Sequence, residues 1–274
     1  MSQAMIWRGY SRATSGAAGL PAALLVAFLL AVCHPGWAQL TEADTLKFGY
    51  RLAANGSWIT GNVERLLLIG AADLFTVHER WAFRSSNQYQ YGTFGPFQTE
   101  NDLLSRNFFY LTPRKKVYPY LMGWVERNLR RDFALRYQLG PGVTYTLARS
   151  EAQVVKASLT AAYEEARFNR DTFETPAYDG RKIMSTYRAT LRLFGQHRLG
   201  TGRARLRYEL WGQPALEDAE NYRLYGDFFA ELPLGKAVFF RTGFNYTYES
   251  IVLTGVKRQD TFWVFGLSVS NLKQ

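Results

Sequence analysis

Cysteine is nearly absent from this chain: Cys33 is the single one among 274 residues. One thiol closes no intramolecular disulfide and builds no cysteine zinc site, so neither kind of scaffold holds the chain together. Histidine is scarce as well, with three residues, His34, His78 and His197. Long apolar runs are missing too. The longest, "LPAALLVAFLLAVC" at 20–33, is shorter than the ~20 residues of a spanning helix, and no other stretch reaches ~18. A helical membrane protein is thereby excluded. Acidic residues are outnumbered, 23 Asp and Glu against 33 Lys and Arg, for a net charge of +10.

A basic balance with interleaved aromatics fits nucleic acid, anionic lipid or an anionic solute. The N-terminus argues against nucleic acid. Residues 1–38 read as a secretory signal: Arg8 and Arg12 come first, no acid precedes the apolar run, and "GWA" at 36–38 predicts cleavage before Gln39. A short membrane anchor is the alternative. "LAVC" at 30–33 is similar to a lipid-attachment box, but Val32 stands where a small residue is wanted.

What the chain has instead is alternation. In "RARLRYELWG" at 203–212, Arg203, Arg205, Arg207 and Glu209 alternate with Ala204, Leu206, Tyr208 and Leu210. Likewise Arg188, Thr190 and Arg192 alternate with Tyr187, Ala189, Leu191 and Leu193. Phe133, Leu135, Tyr137 and Leu139 alternate with Arg136 and Gln138. Successive strand side chains point to opposite faces, whereas a helix at about 100° per residue would scatter these charges around its circumference.

Twelve such segments lie near 46–59, 65–77, 79–91, 103–111, 117–127, 133–147, 153–168, 181–195, 203–212, 222–232, 237–249 and 261–272. Short connections follow the even segments. Longer ones generally follow the odd ones, "GTFGPFQTEND" (92–102) among them. This is the pattern of an antiparallel meander.

A soluble sandwich also alternates. The length of the segments, the export signal and aromatics near segment ends favour a membrane. The expected fold is an all-β, transmembrane antiparallel β-barrel of about twelve strands, up-and-down, in the bacterial outer membrane. An even strand number puts both termini on the periplasmic side, with the longer loops outside. Trp58, Trp81, Tyr118, Tyr120, Trp124, Trp211, Tyr222 and Trp263 are the candidates for the lipid–water boundary.

The lumen candidates are Arg51, Arg84, Arg136, Arg188, Arg192, Arg203, Arg205, Arg207, Glu209, Asp227, Glu231 and Arg241, with Glu164. Guanidinium and carboxylate groups on neighbouring strands pair well, which makes a filled, rigid interior the first reading. A water-filled, Arg-lined pore for small anionic solutes is the second.

"FGYRLAANGSWITGNVERLLLIGAADL", with the Gly56–Trp58 strand end and the Thr60-Gly61-Asn62 turn, resembles the start of a bacterial outer-membrane family. So do "PYLMGWVERN" and "LGPGVTYTL" with Gly140, Pro141 and Gly142. The family is the bacterial domain of unknown function DUF481, described as salt-induced outer-membrane proteins. The resemblance spans roughly residues 45–274 and implies a small outer-membrane barrel without established chemistry. Its partners would be outer-membrane lipids and the barrel-assembly machinery. That machinery commonly reads a terminal aromatic, yet this chain ends Lys273-Gln274 after Phe262, Trp263 and Phe265.

Catalytic constellations are weak. His78 and His197 are expected in short turns, with no nucleophile motif beside either. Glu164 and Glu165 are adjacent on a strand and point apart, so they cannot flank one bond. "GTG" at 200–202 precedes a strand and is no phosphate cradle. "PRKK" at 113–116 is a solvated basic turn, within reach of anionic headgroups. The acidic "EDAE" at 217–220 is a poor calcium site. A structural or envelope-stress barrel, with no cofactor, metal or catalysis, is the leading reading, and an outer-membrane lipid-acting enzyme the remotest.

Overall fold

The computed structural model describes residues 48–270 apart from 62, 151, 201–203 and 236. The expected signal at 1–38 and the Lys273-Gln274 end lie outside the described residues. The strands are β1 (Phe48–Ile59), β2 (Arg65–Val77), β3 (Trp81–Phe94), β4 (Phe97–Leu111), β5 (Val117–Asn128) and β6 (Phe133–Arg149). They continue with β7 (Gln153–Phe168), β8 (Ile183–Leu199), β9 (Ala204–Pro214), β10 (Tyr222–Pro233), β11 (Val238–Glu249) and β12 (Gln259–Ser270). Each pairs antiparallel with its sequence neighbours, and β1 with β12 closes the ring. The expected twelve-stranded up-and-down barrel is the fold found.

Alternation sorts the residues as the strand period requires. Leu191, 66 % exposed, faces out on β8, and Arg188, Thr190 and Arg192 between and beside such positions are buried. Leu52, Leu121, Leu139, Leu159 and Phe265 are likewise exposed on the outer wall. An exposed apolar belt of this extent matches a wall solvated by lipid, and a closed ring leaves few sheet edges to satisfy there.

Two sequence expectations are corrected. Residues 92–102 are not a long loop: β3 runs on to Phe94, β4 begins at Phe97, and Gly95-Pro96 makes the turn. Gly95 takes the positive φ of 54° and donates its N–H to the Glu64 carbonyl at 2.8 Å. The Gly, Pro and Asn of this stretch look like loop signals, but Arg65 opposite Phe94 extends the ladder, with a bulge at Gly92/Thr93. In β6 a bulge between Phe133 and Leu135 turns Phe133 inward, out of the outer set to which simple alternation assigns it.

The longer loops, 169–182, 215–221 and 250–258, gather at one end. Phe133, Ala166, Phe168, Phe173, Tyr178, Ile251 and Leu253 form a small core there, and Phe173 bridges Leu253. At the opposite end Val77, Ala82, Phe108, Tyr110, Tyr118, Tyr120, Met122 and Ala162 pack together inside the wall. The Tyr120 ring lies where a side chain at Gly142 would have to go, and its hydroxyl meets Thr160 Oγ1 at 2.6 Å.

Candidate lumen and its charge network

Arg51, Arg136, Arg188, Arg192, Arg205 and Glu231 are buried inside the barrel, and Arg84, Arg207, Glu209, Asp227 and Arg241 partly so, all on inward-facing positions of their strands. Arg203 lies outside the described residues.

These groups fall into four clusters. In the first, Arg136 donates to both carboxylate oxygens of Glu249, at 2.8 and 2.9 Å. Arg131, from the β5–β6 turn, donates to Asp260 at 2.7 Å and to Thr247 at 3.2 Å. That turn is folded inward and pinned: Arg130 Nε and the Leu129 N–H both donate to Asp102, at 2.7 Å each. In the second, buried Glu164 accepts from Arg188 at 2.9 Å, from Gln138 at 2.7 Å and from Arg223. Gln213 joins Gln138 to Thr190, at 3.0 and 2.7 Å.

The third cluster centres on Glu209, which accepts from Arg106 at 2.8 Å and Arg192 at 2.9 Å. The Arg106 guanidinium also lies 5.7 Å from the Trp124 ring and 5.5 Å from that of Tyr225. In the fourth, Asp73 faces Arg51, Arg207 and Arg84 at 3.5, 3.7 and 3.8 Å, and Arg51 reaches Glu231 at 3.0 Å. Beside it Arg241 lies over Phe229, 3.5 Å from the ring centroid.

Several of these bonds span the interior. β4 and β9, which carry Arg106 and Glu209, are five strands apart around the ring; so are β6 and β11, carrying Arg136 and Glu249, and β2 and β9, carrying Asp73 and Arg207. Between the bridges lie cavities of about 100 and 190 Å³. Asp73, Arg84, Arg207, Glu209, Asp227 and Phe229 line both.

Four aromatics expected at the lipid–water boundary are corrected. Tyr118, Tyr120, Trp124 and Trp211 are buried and point inward. They share strand parity with inward neighbours, Met122 on β5 and Glu209 and Gln213 on β9. Trp124 and Trp211 meet edge-on at 5.6 Å, and Trp211 stacks on Tyr225 at 5.1 Å. Trp58, Trp81, Tyr222 and Trp263 face outward. His197 is not a turn residue: the ladder continues to Leu199 opposite Ala204, and His197 is buried in β8, stacked on Tyr208 at 5.5 Å. His78 does lie in a turn, against Trp81.

Sequence reasoning left out Asp73, Arg106, Glu126, Arg223, Tyr225 and Glu249. Each shares parity with an inward neighbour, a signal that was available. Arg130 and Arg131 carry no such signal, because they reach Asp102 and Asp260 only through the inward fold of a turn. Among the described residues no group of three or more His, Asp or Glu is placed to hold a metal ion.

Outside the wall, the carboxylates of Asp132, Glu217 and Asp218 are held ionised. Burial opposes this at Asp132, but hydrogen bonds from Arg170 and Asn169 win and keep its carboxyl below the ordinary value. The Tyr178 hydroxyl does the same for Asp218, and Thr186 for Glu217.

Fold and interior together define a class: a closed twelve-stranded transmembrane barrel with an apolar exterior and an ion-paired interior. The family profile "Protein of unknown function, DUF481" matches residues 53–270, and the chain belongs to that family. No curated protein matches it. Among solved structures the chain is similar to a NanC porin, with 9 % identity, TM-score 0.48, and coverage of 81 % of this chain and 98 % of that one. It is also similar to outer-membrane expressed OmpT of Vibrio cholerae (9 %, 0.36, 85 % and 99 %). A third likeness is to the translocator domain of the autotransporter NalP from Neisseria meningitidis (12 %, 0.32, 81 % and 86 %). Scores this low say nothing of what the chain does.

Proposed function

We propose that this chain is a bacterial outer-membrane barrel with a structural or envelope-stress role, its interior braced against free axial flow and without catalytic activity. One observation carries the reading: Arg106–Glu209 and Arg136–Glu249 cross the lumen between strands five apart. A buried pair of this geometry fixes one arrangement of the wall, because separating its members leaves charge unpaired in a poorly solvated space. Outer-membrane lipids solvate the belt of Leu121, Leu159 and Leu191, and the barrel-assembly machinery inserts the chain. Trp58, Trp81, Tyr222 and Trp263 sit at the lipid–water boundary, where an amphipathic ring is suited to the headgroup level.

Planar-bilayer recording tests this. Purified protein whose fold is verified by heat-modifiable gel mobility gives no discrete current steps, while Arg106→Ala combined with Arg136→Ala gives them. Steps of uniform size from the unaltered protein contradict the braced interior.

A second reading, a narrow passage for small anionic solutes, is favoured by the walls of the smaller cavity. These carry Arg51, Arg84, Lys156, Arg192 and Arg207 against Asp73, Glu209 and Asp227. In the same recordings it predicts anion-selective steps that Arg207→Ala weakens.

A further inference from the structure

The barrel wall is not zipped to the same height all the way round. Among the described residues, β1 pairs with β12 only through Arg51–Ala54 against Leu267–Ser270. Yet β1 stays paired with β2 as far as Ile59 opposite Arg65, and β12 with β11 as far as Gln259 opposite Tyr248. Continued register would set Gly56 against Phe265 and Trp58 against Trp263, and neither pair forms. The seam therefore parts on the loop side over Gly56–Ile59, about 13 Å of strand. An unpaired edge is costly where only hydrocarbon meets it.

The surroundings of the gap are specific. At its apex the Asn55 carboxamide lies across Gly266, where any Cβ would collide with it, and Asn55 Oδ1 is buried without a hydrogen-bond partner. On the outer wall Trp58 and Trp263 flank the gap, 80 % and 67 % exposed. Behind it the lumen wall turns apolar: Ile69, Phe262 and Val264 line the larger cavity. Arg241 lines it too, directly opposite Gly266 in the β11–β12 register. Its Nε is buried without a hydrogen-bond partner, and the side chain makes no ion pair among the described residues.

We propose that the β1–β12 seam is a lateral portal through which a single-chain anionic amphiphile, a long-chain carboxylate, enters from the outer leaflet. Its chain lies against Ile69, Phe262 and Val264, and its carboxylate meets Arg241. The apolar lining selects the chain and the unpaired guanidinium selects the charge. This route goes beyond the braced interior and does not depend on it, since it passes through the wall and not along the axis.

The test is photolabelling in proteoliposomes with palmitic acid carrying a mid-chain diazirine. Labelling of peptides containing Ile69, Phe262 and Val264, competed away by excess palmitate, is expected. It falls at least fivefold in Arg241→Gln with heat-modifiable mobility retained. Trp58→Cys with Trp263→Cys, once oxidised, closes the gap and abolishes interior labelling, and reduction restores it. Labelling confined to outward residues such as Leu191 and Phe265, without competition, overturns the proposal. So does interior labelling that survives the closed seam. If the cysteine pair does not oxidise, the competition result and the Arg241→Gln result decide. Bilayer conductance is unaffected by either outcome, so failure here is distinct from failure of the axial bracing.

Discussion

At the scale of single residues, the interior is governed by what each buried charge has beside it. Arg136 is the clearest case, because its guanidinium forks onto both oxygens of Glu249. Arg136→Ala strips Glu249 of both hydrogen bonds and leaves it only the longer contact with Arg131 at 3.5 Å, at a cost of about 3–5 kcal/mol. Urea unfolding from lipid vesicles reads that loss. Replacing both members, Arg136→Met with Glu249→Met, is expected to cost less than the single change, and an equal or larger loss contradicts the pairing. Tyr120→Phe removes only the hydroxyl bonded to Thr160 and should cost about 0.5–1.5 kcal/mol in the same assay. Much of this was legible in the sequence. Arg188 and Arg192 on β8, and Arg205, Arg207 and Glu209 on β9, face inward because period two leaves no other choice. Trp211 was misplaced although it continues that same row: its position near a strand end outweighed its parity. Which arginine meets which acid was not legible, because Arg106 and Glu209 are brought together only by the curvature of the closed ring.

At the scale of elements, hairpins build the wall and loops cap one end. Strand existence followed from alternation, and strand ends did not. Turn-like residues at 92–102 hid a continuing ladder, and a bulge re-aimed Phe133. The loops carry their own electrostatics. Asp132, Glu217 and Asp218 have carboxyl values depressed in the fold, so they favour the ordered loops above the ordinary values of 3.8 and 4.5. That contribution is lost as the pH falls through the depressed values. A nitroxide at Thr172→Cys is therefore expected to stay immobile from pH 7 to about 5 and to gain mobility towards pH 3. A label at Leu159→Cys on the wall stays unchanged. Mobility at Thr172 that is flat across this range contradicts the role given to these carboxylates.

At the scale of the whole molecule, one division of labour explains the composition. Leucine and aromatic residues cover the outside, and most of the Arg and carboxylate groups on the strands are turned inward, which is how a membrane barrel carries 33 basic residues with no long apolar run. The seam between β1 and β12 is the one feature of this scale that no sequence pattern announced, since it depends on where pairing stops. The most direct test of the account is nitroxide accessibility at alternate positions of β7 and β8 in liposomes. Cys33 is the chain's one cysteine, so after Cys33→Ser each variant carries a single label. Labels at Leu159, Tyr187 and Leu191 should be relaxed by oxygen dissolved in the bilayer and hardly by an aqueous nickel chelate, and labels at Ser158, Arg188 and Thr190 should not share that preference. Nickel-dominated relaxation at Leu159, Tyr187 and Leu191 would contradict it.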